Sequence, residues 1–203
     1  MSSRNIKNIL CLLNNNHKLF SFYILLITCY LLFLPSISDA VEITGPDVTF
    51  QNNDIYITTS LLLDEKYLEE IRNGINKEIR FYIDLFRIWK IWPDEFITGK
   101  KFVKTLKCDP VKKEYVATSS DGNILIEKRF KSFETMIQWV ININNLKLAS
   151  IRELEIGGYF VRITVESKIR NLPPVIGYFL IFLPENEFKI EKDSPAFDIG
   201  TVK

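Results

Sequence analysis

The chain reads as a mainly β domain, an antiparallel β-sandwich-like fold with two short helices. Three observations carry that reading. Apolar residues alternate at period two through Lys77–Arg87 and again through Tyr159–Lys168. Turn-forming clusters recur at short intervals between such runs. Only two stretches break into helical spacing. An α+β antiparallel sheet with helices on one face is the alternative.

The first strands are expected at Asp47–Gln51 and Ile55–Leu63, with Asn52-Asn53-Asp54 turning between them. Asp64 is placed to cap a short helix, Tyr67, Leu68 and Ile71 give it an apolar side, and Gly74 is its C-terminal stop. In the strand that follows, Ile79, Phe81, Ile83 and Leu85 share one face, and Glu78, Arg80, Tyr82 and Asp84 the other. Such a strand packs one face on a core and wets the other. Pro93-Asp94 ends the run. Phe102–Cys108 and Glu114–Thr118 pair next, turning at Asp109-Pro110, and Ser119-Ser120-Asp121-Gly122 leads into a strand over Asn123–Arg129. The second helix opens at Ser132. Phe133, Met136, Ile137, Val140 and Ile141 follow the i, i+3, i+4, i+7, i+8 spacing of a core-facing stripe, and Asn142, Asn144 and Asn145 end it. Tyr159–Lys168 is a further strand, whose polar side, with Arg162, Glu166 and Lys168, is expected to face water beside Arg170. Leu172-Pro173-Pro174 interrupts. Ile176–Leu183 is continuously apolar and too short to span a bilayer as a helix, so it reads as a strand buried on both sides. Glu187–Glu191 is a last strand, and about ten residues after Asp193 are expected to be loose.

Residues 1–40 have the order of an export signal. Arg4, Lys7 and Lys18 precede an uncharged stretch, Pro35 breaks it, and Ser38-Asp39-Ala40 offers small residues for cleavage after Ala40. The rival is an uncleaved anchor, since residues 19–38 carry no charge and about 20 such residues span a bilayer. Either way residues 41–203 are expected outside the cytoplasm, as one β-rich domain. Cys29 sits within the apolar run, poorly placed for acylation.

Composition narrows the chemistry. Three of the 26 Lys and Arg and one of the 25 Asp and Glu fall in residues 1–40, leaving 23 and 24 and no basic block for nucleic acid. Cys108 is the only cysteine after residue 40, so no internal disulfide forms there; it reads as a small apolar residue. The chain's single histidine, His17, lies in the signal. A domain without histidine has no Ser-His-Asp or Cys-His nucleophile and no histidine-ligated metal. No glycine-rich phosphate loop is present, and no cofactor or metal is expected. Asp94-Glu95 beside Trp92 could in principle act on a glycosidic bond, but adjacency in sequence does not place two carboxylates across a substrate. Asp94, Asp109 and Asp121 lack the ligand spacing of a calcium loop.

The run Phe86-Arg87-Ile88-Trp89-Lys90-Ile91-Trp92 is the best candidate contact surface, with Arg87, Trp89, Trp92 and Asp94 as its binding residues. Tryptophan and arginine are enriched where interfaces concentrate their energy. The competing reading has one or both tryptophans closing the end of the core. The expected activity is non-enzymatic: an interaction or accessory module for an envelope or membrane protein. A glycan- or small-ligand-binding module is the alternative, and a carboxylate-dependent hydrolase a third reading.

Several segments together resemble a known family. IRNGINKEIRFYIDLFR leads to the IWPDE turn, followed by KTLKCDPVKKEYVATSSDGN, the helix in SFETMIQWV, and YFVRITVESKIRNLPP. Their order and spacing resemble the exported bacterial family catalogued as domain of unknown function 4390, over roughly residues 45 to 195. The matching features are Asn73-Gly74-Ile75, Trp89–Asp94 and Leu172-Pro173. The family tends to carry tryptophans around its last strand, where this chain has Phe188 and Phe197. The resemblance implies an envelope protein of Gram-negative-type bacteria, in the periplasm or on the outer face of the inner membrane; it hints at a link to membrane signalling and supplies no catalytic residues, none being established for the family.

Overall fold

The computed structural model describes residues 41–168 and 186–200. The expected signal, its cleavage after Ala40, the uncharged stretch 19–38, Leu172-Pro173-Pro174 and the apolar strand at 176–183 lie outside the described residues. Among the described residues, ten strands and two helices follow in the order β1 Glu42–Gln51, β2 Asp54–Leu62, α1 Glu65–Arg72, β3 Lys77–Arg87, β4 Glu95–Asp109, β5 Glu114–Ser120, β6 Leu125–Phe130, α2 Phe133–Ile141, β7 Asn142–Ser150, β8 Gly157–Lys168, β9 Asn186–Asp193 and β10 Phe197–Ile199. A 3-10 turn, Ile151–Glu153, lies between β7 and β8.

The strands form two antiparallel sheets, as a sandwich requires. The smaller runs β1-β2-β7. The larger runs β8-β3-β4-β5-β6, with β9 and β10 both paired to the outer edge of β8. β3 is central: Phe81 lies between Phe102 of β4 and Val165 of β8, and Ile83 lies opposite Ile163. The alternation read from the sequence holds, with Ile79, Phe81, Ile83 and Leu85 all buried on the inner face. They join Ile43, Ile55, Ile57 and Leu61 of the small sheet and Met136 and Val140 of α2 in one core. The small sheet packs toward β8 and β9, and α2 packs on β4, β5 and β6.

Local signals set the helix ends. Asp64 Oδ1 accepts from the Tyr67 amide at 2.6 Å, and Ser132 Oγ accepts from the Thr135 amide at 3.3 Å. Gly74, with φ +90°, closes α1, and the Ile75 amide donates back to the Glu70 carbonyl. The asparagines after α2 do end the helix, but they also open β7, which the sequence does not announce. Asn has low strand propensity; here the open edge of β2, which pairs with β7 from Asp54 to Ser60, decides the conformation. β4 likewise starts at Glu95 rather than Phe102, because the outer half of β3 supplies it with partners from Asp84↔Gly99 to Arg87↔Glu95.

Two further expectations are corrected. The residues just after Asp193 are held in place: the Ser194 amide donates to the Val161 carbonyl at 2.8 Å, Phe197 pairs with Tyr159, and Ile199 is buried. The edge of β8 beyond β9 recruits them. Nor is the polar side of β8 a plain solvated face: Phe160, Thr164 and Glu166 are buried. Glu166 pairs with Arg80 at 3.7 Å and accepts from the Tyr82 hydroxyl at 3.1 Å, whereas Arg162 forms a two-pronged pair with Asp193 at 2.8 and 2.9 Å.

Two lysines enter the interior, each with partners, as buried charge requires. Lys77 Nζ donates to Glu70 at 2.5 Å and to Glu187, whose second oxygen accepts from Ser167. Lys104 Nζ donates to the carbonyls of Trp139 (3.3 Å), Val140 (2.7 Å) and Asn142 (3.0 Å), where α2 passes into β7. It meets carbonyls that a helix end leaves without partners. Burial pulls the Lys104 ammonium down to about 8. An unfolded lysine titrates near 10.4, so between these values Lys104 by itself makes stability rise with pH. Burial raises the Cys108 thiol and the Tyr67 phenol, and because only the unfolded state then ionises there, they oppose the rise from about 8.5 and from about 10 respectively. Chemical denaturation from pH 7.5 to 10 is therefore expected to show a more positive slope in the parent chain than in Lys104→Met. An unchanged slope in the variant would remove Lys104 as a source of pH dependence.

Candidate functional site

β3 and β4 are joined by a loop, Ile88–Asp94, that carries Trp89, Trp92 and Asp94, while Arg87 ends β3. Pro93 has no amide to extend a ladder, and the loop is short, so its apolar side chains have no room to fold under either sheet. Ile91 is 89% exposed, Trp92 74% and Trp89 42%. Neither tryptophan closes the core; Phe197, stacked at 6.2 Å on Tyr159, and Phe50, edge-on to Phe197 at 5.3 Å, stand at that end instead.

The turn is braced from both sides. Its first residue is pinned by the Ile88 amide, which donates to the Gly158 carbonyl at 2.8 Å. Arg87 donates through Nη1 to Glu155 at 2.5 Å and through Nη2 to the Ile156 carbonyl at 3.1 Å. Its guanidinium lies 4.5 Å from the centre of the Trp89 ring, a cation–π contact that holds the indole in place. The Glu155 hydrogen bond raises the Arg87 pKa, so the charge is permanent. Gly157 makes room: a Cβ there would stand 3.2 Å from Arg87 Nε. On the other side the Trp89 indole N–H donates to Glu95 at 3.1 Å and its amide to Asp94 Oδ1 at 3.4 Å.

The sequence thus named Arg87, Trp89, Trp92 and Asp94, and the fold brings the first, second and fourth into one network while Trp92 projects from it. Asp94 and Glu95 serve as acceptors for Trp89. Glu155, Ile156 and Gly157, from the start of β8, were missed, though Gly157-Gly158 before a strong strand signals a close backbone approach. Phe96 was missed as well. It is 56% exposed and sits edge-on to Phe86 at 5.8 Å, and Phe86 stacks on Phe160 at 5.4 Å beneath Arg162. An aromatic strip therefore runs from the outer face of β8 to the turn. The exposed apolar side chains Ile88, Ile91, Trp92, Phe96 and Ile156 gather at one end of the large sheet, the arrangement that marks interaction sites on protein surfaces.

Cys108 is buried, its thiol directed at the Arg72 carbonyl at 3.7 Å, and burial raises its pKa. Among the described residues no group of three or more His, Cys, Asp or Glu is placed to hold a metal ion, and no helix is long and apolar enough to cross a membrane.

A domain of this architecture, an antiparallel sandwich presenting a braced aromatic turn, matches the family model of the domain of unknown function DUF4390 over residues 38–194. The chain belongs to that family. No curated protein and no solved structure matches it.

The turn contributes little to the core, whereas Phe81 is buried at its centre. Trp92→Ala is expected to change unfolding free energy by no more than about 0.5 kcal/mol, and Phe81→Ala to remove about 3–5 kcal/mol. Urea titrations of the two variants against the parent chain check this. A large loss in Trp92→Ala would place its indole in a packed environment.

Proposed function

We propose that the protein is an exported envelope component that acts without catalysis, as an interaction module docking another envelope or membrane protein through the Ile88–Phe96 turn. One observation carries the reading: Ile91 is almost fully and Trp92 largely exposed on a turn whose neighbours are fixed by Arg87, Asp94 and Glu95. A monomer gains nothing from holding large apolar groups in water; a partner surface that covers them gains apolar burial of about 25 cal/mol per Å². Bracing strengthens the effect, because a side chain already fixed loses little entropy on binding. Export is supported by the signal-like order of residues 1–40, and a role beside membrane signalling by the resemblance to the family.

The reading predicts the outcome of crosslinking the native protein in intact cells. One dominant partner is expected, and its yield should fall at least tenfold in Trp89→Ala/Trp92→Ala, equivalent to about 1.4 kcal/mol or more, with the fold retained. The same sample should yield a chain starting at Val41. Recovery of the protein alone would sink the docking reading. A chain still carrying residues 19–38 would replace a released protein by a membrane-held one.

A further inference from the structure

The turn lies in an asymmetric electrostatic setting. Asp94, Glu95 and Glu155 are exposed around it, and Asp198 flanks Gly158 together with Ile88. Against these four carboxylates stand Lys90 on the turn and Arg87, which is paired with Glu155; Arg162, the other cation near Asp94, is paired with Asp193. The apolar projection of Ile91 and Trp92 is thus ringed by net negative charge.

Resting on the reading that this turn docks a partner, we infer that the partner is a protein groove with an apolar floor and a basic rim. Ile91 and Trp92 match the floor. The carboxylates match the rim, and complementary charge across an interface steers encounter and fixes orientation. A lipid surface fits poorly. Anionic headgroups attract basic segments and repel this collar, and seating Trp92 in the acyl region would draw Asp94 and Glu95 out of water at a cost of several kcal/mol each. The bracing of Trp89 by Arg87 and Glu95 also favours a shaped groove, which requires fixed side chains where a fluid surface does not.

The test uses the full chain in its native cells, with p-benzoylphenylalanine in place of Ile91 and the photo-adduct mapped to its peptide. The adduct is expected in a protein segment whose apolar residues are flanked by Lys or Arg. Its yield should fall about threefold or more with Asp198→Lys and rise with Lys90→Glu, since rim charges act mainly on association rate. Thermal melts of both variants establish that they fold. An adduct to an acidic segment, or yields moving the other way, overturns the basic-rim partner and leaves the docking reading standing. Absence of any protein adduct overturns both. The lipid alternative is read with phosphatidylglycerol vesicles carrying brominated acyl chains: no quenching assignable to Trp92 is expected, and quenching that disappears in Trp92→Phe would overturn the inference in favour of a membrane surface.

Discussion

Burial of the inner face of β3 is the constraint on which the rest of the structure depends. Ile79, Phe81, Ile83 and Leu85 have essentially no exposed area, and their strand is hydrogen-bonded along both edges. A strand placed this way needs two neighbours and a lid. β4 and β8 are the neighbours; the small sheet and α2 are the lid. Because side chains alternate with period two, the register that buries these four residues also fixes which residues of β4 and β8 face inward. Leu106, Val161, Ile163 and Val165 are the result.

The lid is joined to the large sheet by polar as well as apolar contacts. Lys104 reaches from β4 to three carbonyls at the α2–β7 junction. That contact lets a helix run directly into a strand without a glycine cap, because its terminal carbonyls find donors inside the protein. At the far end of β3, Lys77 ties Glu70 of α1 to Glu187 of β9, and Tyr67 meets Ser167 at 2.8 Å. Each of these groups would be costly to bury alone. Together they fix the positions of α1 and β9 against the sheet.

The same central strand positions the turn. β3 delivers Arg87 at the rim, β4 delivers Glu95, and β8 delivers the Gly157-Gly158 backbone, with Glu155 just before it. Three neighbouring strands of one rigid sheet therefore hold Trp89, and the loop between two of them holds Ile91 and Trp92 in water. The site is stiff because its supports are ladder residues. Its apolar tip is exposed because the loop is too short to fold back over the core.

Local chemistry wrote much of this into the sequence. Asp64, Gly74 and Ser132 marked helix ends through side-chain acceptors and a left-handed glycine, and the alternation in β3 and β8 marked their inner faces. Trp89-Lys90-Ile91-Trp92 stood out because it broke that alternation. What remained hidden was decided between segments distant in the chain. The strand at Asn142–Ser150 exists because β2 offers an edge, not because asparagine favours extension. β10 exists because β8 has unpaired length beyond β9. Arg162 and Glu166, read from the sequence as a solvated face, found partners only once β9 supplied Asp193 and β3 supplied Arg80. The sequence by itself determined which faces are apolar, where helices begin and end, and which turn is aromatic, because those properties depend on residues a few positions apart. Only the tertiary structure decided that Trp92 projects while Trp89 is braced, because the groups that brace it, Arg87, Glu155 and the glycines of β8, meet through strand pairing across about 70 residues of chain.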